Sequence, residues 1–445
     1  MVTGRTPAGD QWQALPALHA LLLGLTVYVA AHDSATIYVH MPDPAWLGGW
    51  LSPVLAVANL LLRLLTAPPQ RRNAVTRALL HPPPVPAAAA GFLALYGLAY
   101  TLSTHASLVG WSQITTTCVC CYVLALALAT TGESLFTLLS GLSIGGVAIC
   151  VEGLLQLLPR VRTPEQLMAV NGSRYASGDP FLANRLGNGS LPYPTLLVSL
   201  FLVFGSLALG LAATSRTWLA RLAALAAWLL NGICAWLTAS RGGVAIFILM
   251  SLAHGGAAAL WHAPRPHLNR AIAAISLTTA LLFAGIVARL VLTKGSMLRA
   301  DGSLSSRVKM WRICWHVFRA NPLTGGGPGA FGEAWRAFIR TNSFPEYSVP
   351  HSLYFGILCE GGLMLFAAAA ALFAGLAVET WRIIKSPVSE TDRRLVLAFA
   401  LGLLAVLTHD LNENSFQMHP IYLLSAVFAA IVIGLRAAHP PNARP

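Results

Sequence analysis

An all-α polytopic integral membrane protein is the fold class the sequence predicts, and three observations predict it. The 445 residues are 56% hydrophobic and only 10% charged. Their mean hydropathy is +0.64. The apolar residues also gather into windows of about 18 to 25, each long enough to cross roughly 30 Å of hydrocarbon as a helix. About twelve such windows follow one another. They lie near Leu15 to Ala31, Trp46 to Leu65, Pro86 to Ser103, Val109 to Ala129, Leu135 to Leu158, Tyr193 to Ala213, Trp218 to Thr238, Gly242 to Trp261, Ile272 to Leu292, Ser352 to Val378, Leu395 to Thr408 and Pro420 to Leu435. Nothing between them reads as a soluble domain set off by linkers, so residues 1–445 form a single membrane domain.

The short connections orient the chain. Arg71, Arg72 and Arg77 follow the second window, Arg216 and Arg221 flank the sixth-to-seventh turn, Arg265 and Arg270 follow the eighth, and Arg382, Lys385, Arg393 and Arg394 lie between the tenth and eleventh. All are even-numbered connections and share one face, which the retention of Lys and Arg makes cytoplasmic. Both termini then lie inside. With no short apolar core ending in a small-residue cleavage site, the first window is expected to be a retained anchor.

Two large connections fall outside: 159–192, the first outer loop, and 293–350, a long polar loop. The second carries Lys294, Arg299, Arg307, Lys309, Arg312, Arg319, Arg336 and Arg340 against Asp301, Glu333 and Glu346. The net charge of +13 is thus split between the faces. No compact basic domain exists to present it to nucleic acid. An outer excess of positive charge implies an anionic partner there.

Within these connections several residue patterns carry chemistry. The first outer loop ends in a Gly- and Pro-rich turn that delivers Arg185 just above the membrane, to lipid phosphate or to a ligand. Ser240, Arg241, Gly242 and Gly243 join two nearly abutting helices. That Arg is held either by a structural partner, Asp410 or Glu413, or for a ligand, to which the glycines permit close backbone approach. Ser305 to Arg319 reads as an amphipathic helix with Ser305 or Ser306 as its N-cap. Lys309, Arg312, His316 and Arg319 form a basic stripe on it, either solvated or facing lipid phosphate. Arg307 instead shares a face with Trp311, Cys314 and Phe318 and needs a buried anionic partner. The run Gly325 to Gly332 is a tight turn or a phosphate-contacting loop, and it lacks the Gly-Lys-Ser/Thr ending of a nucleotide loop. His351 opens the tenth window directly after Pro350, where the helix dipole favours a neutral imidazole, the form a general base requires. Glu360, nine residues on, is placed to hold another helix rather than to share chemistry with His351.

Cys118, Cys120, Cys121, Cys150, Cys234 and Cys359 fall in apolar windows and Cys314 on the loop helix. They read as small buried hydrophobes, with no His or second Cys pair at zinc spacing, so no metal is assigned.

Taken together, Arg185 to Pro194, Ser240-Arg241-Gly242, Ser-Ser-Arg307 with Trp311, Asn-Pro322, the Gly325 to Phe331 run, His351-Ser and Glu360-Gly361 resemble the signature of the O-antigen ligase and O-antigen polymerase superfamily. Ser352 stands where that family often has Asn. The resemblance implies a GT-C-like membrane glycosyltransferase of the cell inner membrane. It would move a glycan from undecaprenyl diphosphate to an acceptor hydroxyl at the periplasmic face, with no cofactor. His351 would be the base, and Arg185, Arg241 and Arg307 would hold the donor diphosphate, with Arg312 and Glu360 in support. Inversion at the sugar and metal independence would follow. The end of the chain soon after the twelfth window favours the ligase, whose acceptor is lipid A core, over the polymerase and the protein O-glycosyltransferase. A transporter or flippase of an anionic lipid-linked substrate is the more remote reading, because the charges crowd the outer edge rather than the bilayer midplane.

Overall fold

The computed structural model describes residues 8–38, 45–66, 69–80, 82–103, 108–130, 134–157, 194–260, 302–340, 349–415 and 419–439. In chain order they form α1 (Ala8–Tyr38), α2 (Ala45–Thr66), α3 (Pro69–Leu80), α4 (Pro84–Ser103), α5 (Leu108–Thr130), α6 (Leu135–Leu157), α7 (Pro194–Thr214), α8 (Trp218–Leu237), α9 (Arg241–Leu260), α10 (Gly302–Ala320), α11 (Ala330–Ile339), α12 (Leu353–Lys385), α13 (Glu390–His409) and α14 (His419–Ala438). Every apolar window but the ninth coincides with one of these helices. That ninth window, Ile272 to Leu292, lies outside the described residues, as does the first outer loop, 159–192, with Arg185. By length and hydropathy, 6 helices among the described residues can cross a membrane: α5, α6, α7, α8, α12 and α14. Shorter apolar stretches, Pro16–Ala31, Leu51–Thr66 and Pro84–Ala99, lie in α1, α2 and α4. The architecture is that of an all-helical polytopic membrane protein.

Among the described residues the most deeply buried helix is α7, and its sequence explains why. It carries no charged residue from end to end, so no face of it has to meet water, and α6, α8, α9 and α13 surround it. Small residues set the closest helix pair. A Cβ on Gly24 of α1 would lie 2.1 Å from the Gly141 carbonyl oxygen of α6. Such backbone contact supplies the dispersion and packing that hold helices together where lipid removes most of the hydrophobic driving force.

The two ends of the bundle differ in chemistry. At one end Arg221 donates to the carbonyls of Ala212 and Ser215, Glu379 joins Arg382 and Arg436 across α12 and α14, and Glu390 accepts from Arg394. At the other end lie the α8–α9 junction, the α10–α11 unit, the start of α12 and the α13–α14 connection.

A break in α12 shapes that second end. Gly362 has φ 59° and ψ −157°, a left-handed conformation that a side chain would strain. The turn after α10 docks into the break: Gly326 and Gly327 donate to the carbonyls of Cys359 and Glu360 at 2.8 and 3.0 Å, and Leu363 and Met364 donate to those of Pro322 and Leu323 at 2.9 and 3.1 Å. Meanwhile α10 and α11 share a small core of their own with α12, made of Met310, Cys314, Phe331, Trp335 and Cys359. One expectation fails here. Helix α10 begins at Gly302, so Ser305 and Ser306 lie inside it rather than at its N-cap; Ser303 and Leu304 offer no breaker, and the helix extends back through them. All seven cysteines are free thiols.

Candidate functional site

Four chain segments distant in sequence meet at the second end of the bundle. The first is the α8–α9 junction. Here Ala239 takes a left-handed φ of 58°, a conformation that costs a residue with a Cβ about 1 kcal/mol or more and that gathers at functional positions. Ser240 follows and caps α9, its Oγ accepting from Gly243 N at 3.3 Å. Gly243 has no room for a side chain, since a Cβ would fall 2.6 Å from Val198 of α7. Arg241, between them, is exposed.

Helix α10 contributes Arg307 and Trp311, and the start of α12 contributes His351. The α13–α14 connection contributes Asn412 and Glu413. Arg307 Nη1 donates to Asn412 Oδ1 at 2.5 Å, and Nη2 forms a short ion pair with Glu413 Oε1. The other carboxylate oxygen, Oε2, lies 3.0 Å from His351 Nδ1. The Trp311 indole N–H donates to the His351 carbonyl at 3.2 Å, and its ring stacks on Phe355 with centroids 5.5 Å apart. Leu353 N donates to the carbonyls of Asp410 and Glu413 at 3.0 and 2.9 Å, which fixes the connection against the start of α12. Ser352 caps that helix, accepting from Phe355 N. The Arg241 turn is tied in through its neighbour, since a Cβ on Gly242 would lie 3.3 Å from Asn412 Nδ2.

The electrostatics follow from burial. Glu413 is 2% exposed, Arg307 15% and His351 27%. Burial by itself would raise the Glu413 carboxyl, but the His351 hydrogen bond and the Arg307 charge outweigh it and hold the group below the usual carboxylate range. An ionised carboxylate only accepts hydrogen bonds, so the proton of a neutral His351 resides on Nδ1, and Nε2 keeps the lone pair. That is the orientation in which an imidazole can take a proton from a hydroxyl.

Beneath this cluster lies a buried polar network. His409, the last residue of α13, has Nδ1 3.1 Å from Ser199 Oγ of α7 and Nε2 3.5 Å from Ser240 Oγ. Ser415 N donates to Asp410 Oδ1 at 2.9 Å. The network ties the Arg241 turn, α7 and the Glu413 connection to one another, so that three separate elements are positioned together.

The structure therefore brings Arg307, His351 and the Arg241 turn together. It leaves two other sequence candidates elsewhere. Arg312 sits on the exposed face of α10, about 140° round the helix from Arg307. Glu360 lies at the α12 break, where its carboxyl takes hydrogen bonds at the backbone of Gly329 and Phe331, closing the start of α11 as an N-terminal acceptor does. The glycine run is a structural turn, because the amides of Gly325, Gly326 and Gly327 are all spent on backbone carbonyls. Arg185 lies outside the described residues. Glu413 as the carboxylate of His351, and Asn412 beside it, were not legible in the sequence. The available signal was that Arg307 required a buried anion and that the last outer connection held two acids, Asp410 and Glu413.

Comparison with known proteins bears on part of the chain. Residues 200–370 match a family model, Wzy_C, described as O-antigen ligase. That segment contains the Arg241 turn, Arg307, Trp311, the glycine run, His351 and Glu360, whereas Arg185 and Glu413 fall outside it. No curated protein matches the chain.

Proposed function

We propose, from the premise that residues 200–370 make this chain a member of the O-antigen ligase superfamily, that it is an O-antigen ligase. It moves a glycan from undecaprenyl diphosphate to the lipid A core oligosaccharide at the periplasmic face of the inner membrane. The observation that carries the reading is the buried carboxylate of Glu413, 3.0 Å from His351 Nδ1 and held on its other oxygen by Arg307. This is the arrangement of an oriented general base.

Sidedness supports the assignment. The end opposite the cluster bears Arg216, Arg221, Arg382, Lys385, Arg393, Arg394 and Arg436, the residues that stay cytoplasmic. Outside the cytoplasm no nucleotide sugar is at hand, so the energy resides in the donor's own diphosphate bond. His351 Nε2 takes the proton of the acceptor hydroxyl as its oxygen attacks the anomeric carbon. The bond from that carbon to the diphosphate oxygen breaks on the opposite face, which inverts the linkage. Charge growing on the departing diphosphate meets Arg241, exposed at the mouth of the cluster, and Arg185. Arg307, with both terminal nitrogens engaged, acts first on Glu413 and adds its charge to the same region. With arginines carrying the charge the reaction needs no divalent metal, so activity should survive EDTA.

Full-length protein supplied with undecaprenyl diphosphate-linked glycan and rough lipopolysaccharide tests this reading. Loss of transfer in His351→Ala is expected, and undiminished transfer would rule the mechanism out. The polymerase and the protein O-glycosyltransferase share the chemistry and differ in acceptor. Deleting the gene separates the first from the ligase: all capped lipopolysaccharide disappears if the chain is a ligase, while single-unit caps persist if it is a polymerase. Transport or flipping of an anionic lipid-linked substrate would instead leave no new glycosidic bond.

A further inference from the structure

We infer that the exposed face of α10, formed by Arg312, Trp315, His316 and Arg319 and continued by Leu323, docks onto the anionic phosphate headgroups of the leaflet beside the candidate site. The surface goes beyond the glycosyl-transfer reading and does not depend on which acceptor is used.

Two lengths place it at headgroup level. From Lys385 up to Leu363, α12 rises roughly 34 Å at 1.5 Å per residue, close to the thickness of a bilayer's hydrocarbon. Helix α13, 20 residues long, rises roughly 30 Å from the same end and finishes at His409. The break at Gly362 and the end of α13 are therefore level with one another and with the lipid–water boundary. Above the break, α12 does not continue outward but crosses to α13: Tyr354 Oη donates to the Leu407 carbonyl at 2.8 Å, and Leu353 N donates to that of Asp410 at 3.0 Å.

Helix α10 is fastened to this crossing segment at both ends. Arg307 and Trp311 bind Glu413 and His351 near its beginning. The turn that follows it is hydrogen-bonded to Leu363 and Met364 at the break. Between these points Met310 and Cys314 pack beside Phe355 and Cys359. The helix thus runs along the boundary instead of standing away from it. Its outward face has the composition of an interfacial helix. Trp315 is 48% exposed and Leu323 66%, Arg312, His316 and Arg319 flank them, and no acidic residue occurs anywhere in α10. The apolar side of this face is continuous with lipid-facing surface, since Leu363 and Met364, bonded to the Pro322–Leu323 backbone, are 46% and 51% exposed. Long basic side chains at such a position place their stems on acyl chains and their charges on phosphate. Held in this way, the helix carrying Arg307 and Trp311 is steadied by the membrane itself.

Native mass spectrometry of the full-length protein, loaded with phosphatidylglycerol or phosphatidylcholine, tests the inference. The double variant Arg312→Gln/Arg319→Gln should retain phosphatidylglycerol at least about threefold less well and phosphatidylcholine as before. Unchanged phosphatidylglycerol, or a parallel loss of both lipids, would overturn the proposal. A second arm uses brominated phosphatidylglycerol as a quencher of tryptophan emission: Trp315→Phe should lose a measurable part of the quenching, and an identical quenching amplitude would remove Trp315 from the interface. Adding inorganic diphosphate at millimolar concentration should displace none of the bound lipid. If it displaces the lipid, the face is a site for soluble phosphate and the docking surface is refuted.

Discussion

Replacing Glu413 by Gln removes the charge between His351 and Arg307 while keeping the side chain's volume. The carboxylate is 2% exposed and lies 3.0 Å from His351 Nδ1. In the proposed mechanism the ring accepts the acceptor's proton, and an imidazolium forms beside that carboxylate. At a charge separation of about 4 Å and an effective dielectric near 20, the attraction is roughly 4 kcal/mol. Arg307 on the other carboxylate oxygen opposes the new positive charge, and water reaches His351, which is 27% exposed, so part of this is lost. A net loss of about 2–3 kcal/mol remains, or roughly a hundredfold slower turnover. Steady-state transfer between lipid-linked donor and rough lipopolysaccharide measures it. We expect kcat to fall by about a hundredfold, with a much smaller change in KM for the donor, because Glu413 touches the ring and not the substrate. Combining Glu413→Gln with His351→Ala should be no slower than His351→Ala alone, since the carboxylate acts through the imidazole. Glu413→Gln retaining more than half of the wild-type turnover would refute the argument. So would a double variant in which the two losses multiply.

Acid should act on the same group. The folded carboxyl of Glu413 lies below its ordinary value of 4.5, so its contribution to stability is fully present above that pH and is lost as the pH falls through the folded value. Thermal unfolding should therefore be steeper in its acid dependence for the wild type than for Glu413→Gln, and equal acid sensitivity would count against the ion pair. Gly362→Ala places a Cβ 2.5 Å from Leu323 O at a φ of 59° and should destabilise the docked turn by about 1–3 kcal/mol; limited proteolysis between Ala320 and Phe331 should speed up, and unchanged cleavage would show that the turn does not depend on the break. Glu360→Ala removes the acceptor at Gly329 and Phe331 and should cost about 1 kcal/mol of helix start, read as faster amide exchange over Phe331–Glu333. An unaltered exchange rate there would mean that the carboxylate does not close the helix.

Much of the fold could be read from the sequence because hydropathy is a local property. The apolar windows correspond to helices wherever the structure describes them, and α7, which carries no charge, is the most buried of the described helices. Two of the basic connections, the turn at Arg221 and the one from Arg382 to Arg394, lie together at one end, while Arg265 and Arg270 lie outside the described residues. The inward face of α10 was legible from helical spacing in Arg307, Trp311 and Cys314, whereas Phe318, expected with them, packs on the exposed Trp315 instead. The first residue of α10 was not legible, since Ser305 and Ser306 are N-cap types as good as Asp301, which precedes Gly302, and local sequence does not choose among them. The break at Gly362 was also hidden. Two adjacent glycines in an apolar helix are compatible with a straight span, and only the turn docking from Pro322 to Gly327 forces the left-handed conformation.

By itself, then, the sequence determined the class of the protein, the helical character of its segments, and the residue types at one end that can meet an anion and move a proton. Those follow from composition and from neighbours a few positions apart along a helix. Tertiary structure alone decided that the anion Arg307 requires is Glu413, about a hundred residues away, and that the same carboxylate orients His351. It also decided that Glu360 closes α11 and that the glycine run is spent on the α12 break. The physical reason is that a buried charge fixes only the kind of partner it needs, and several acids and donors along the chain could have met that need. The choice among them is made when separate helix ends are packed side by side.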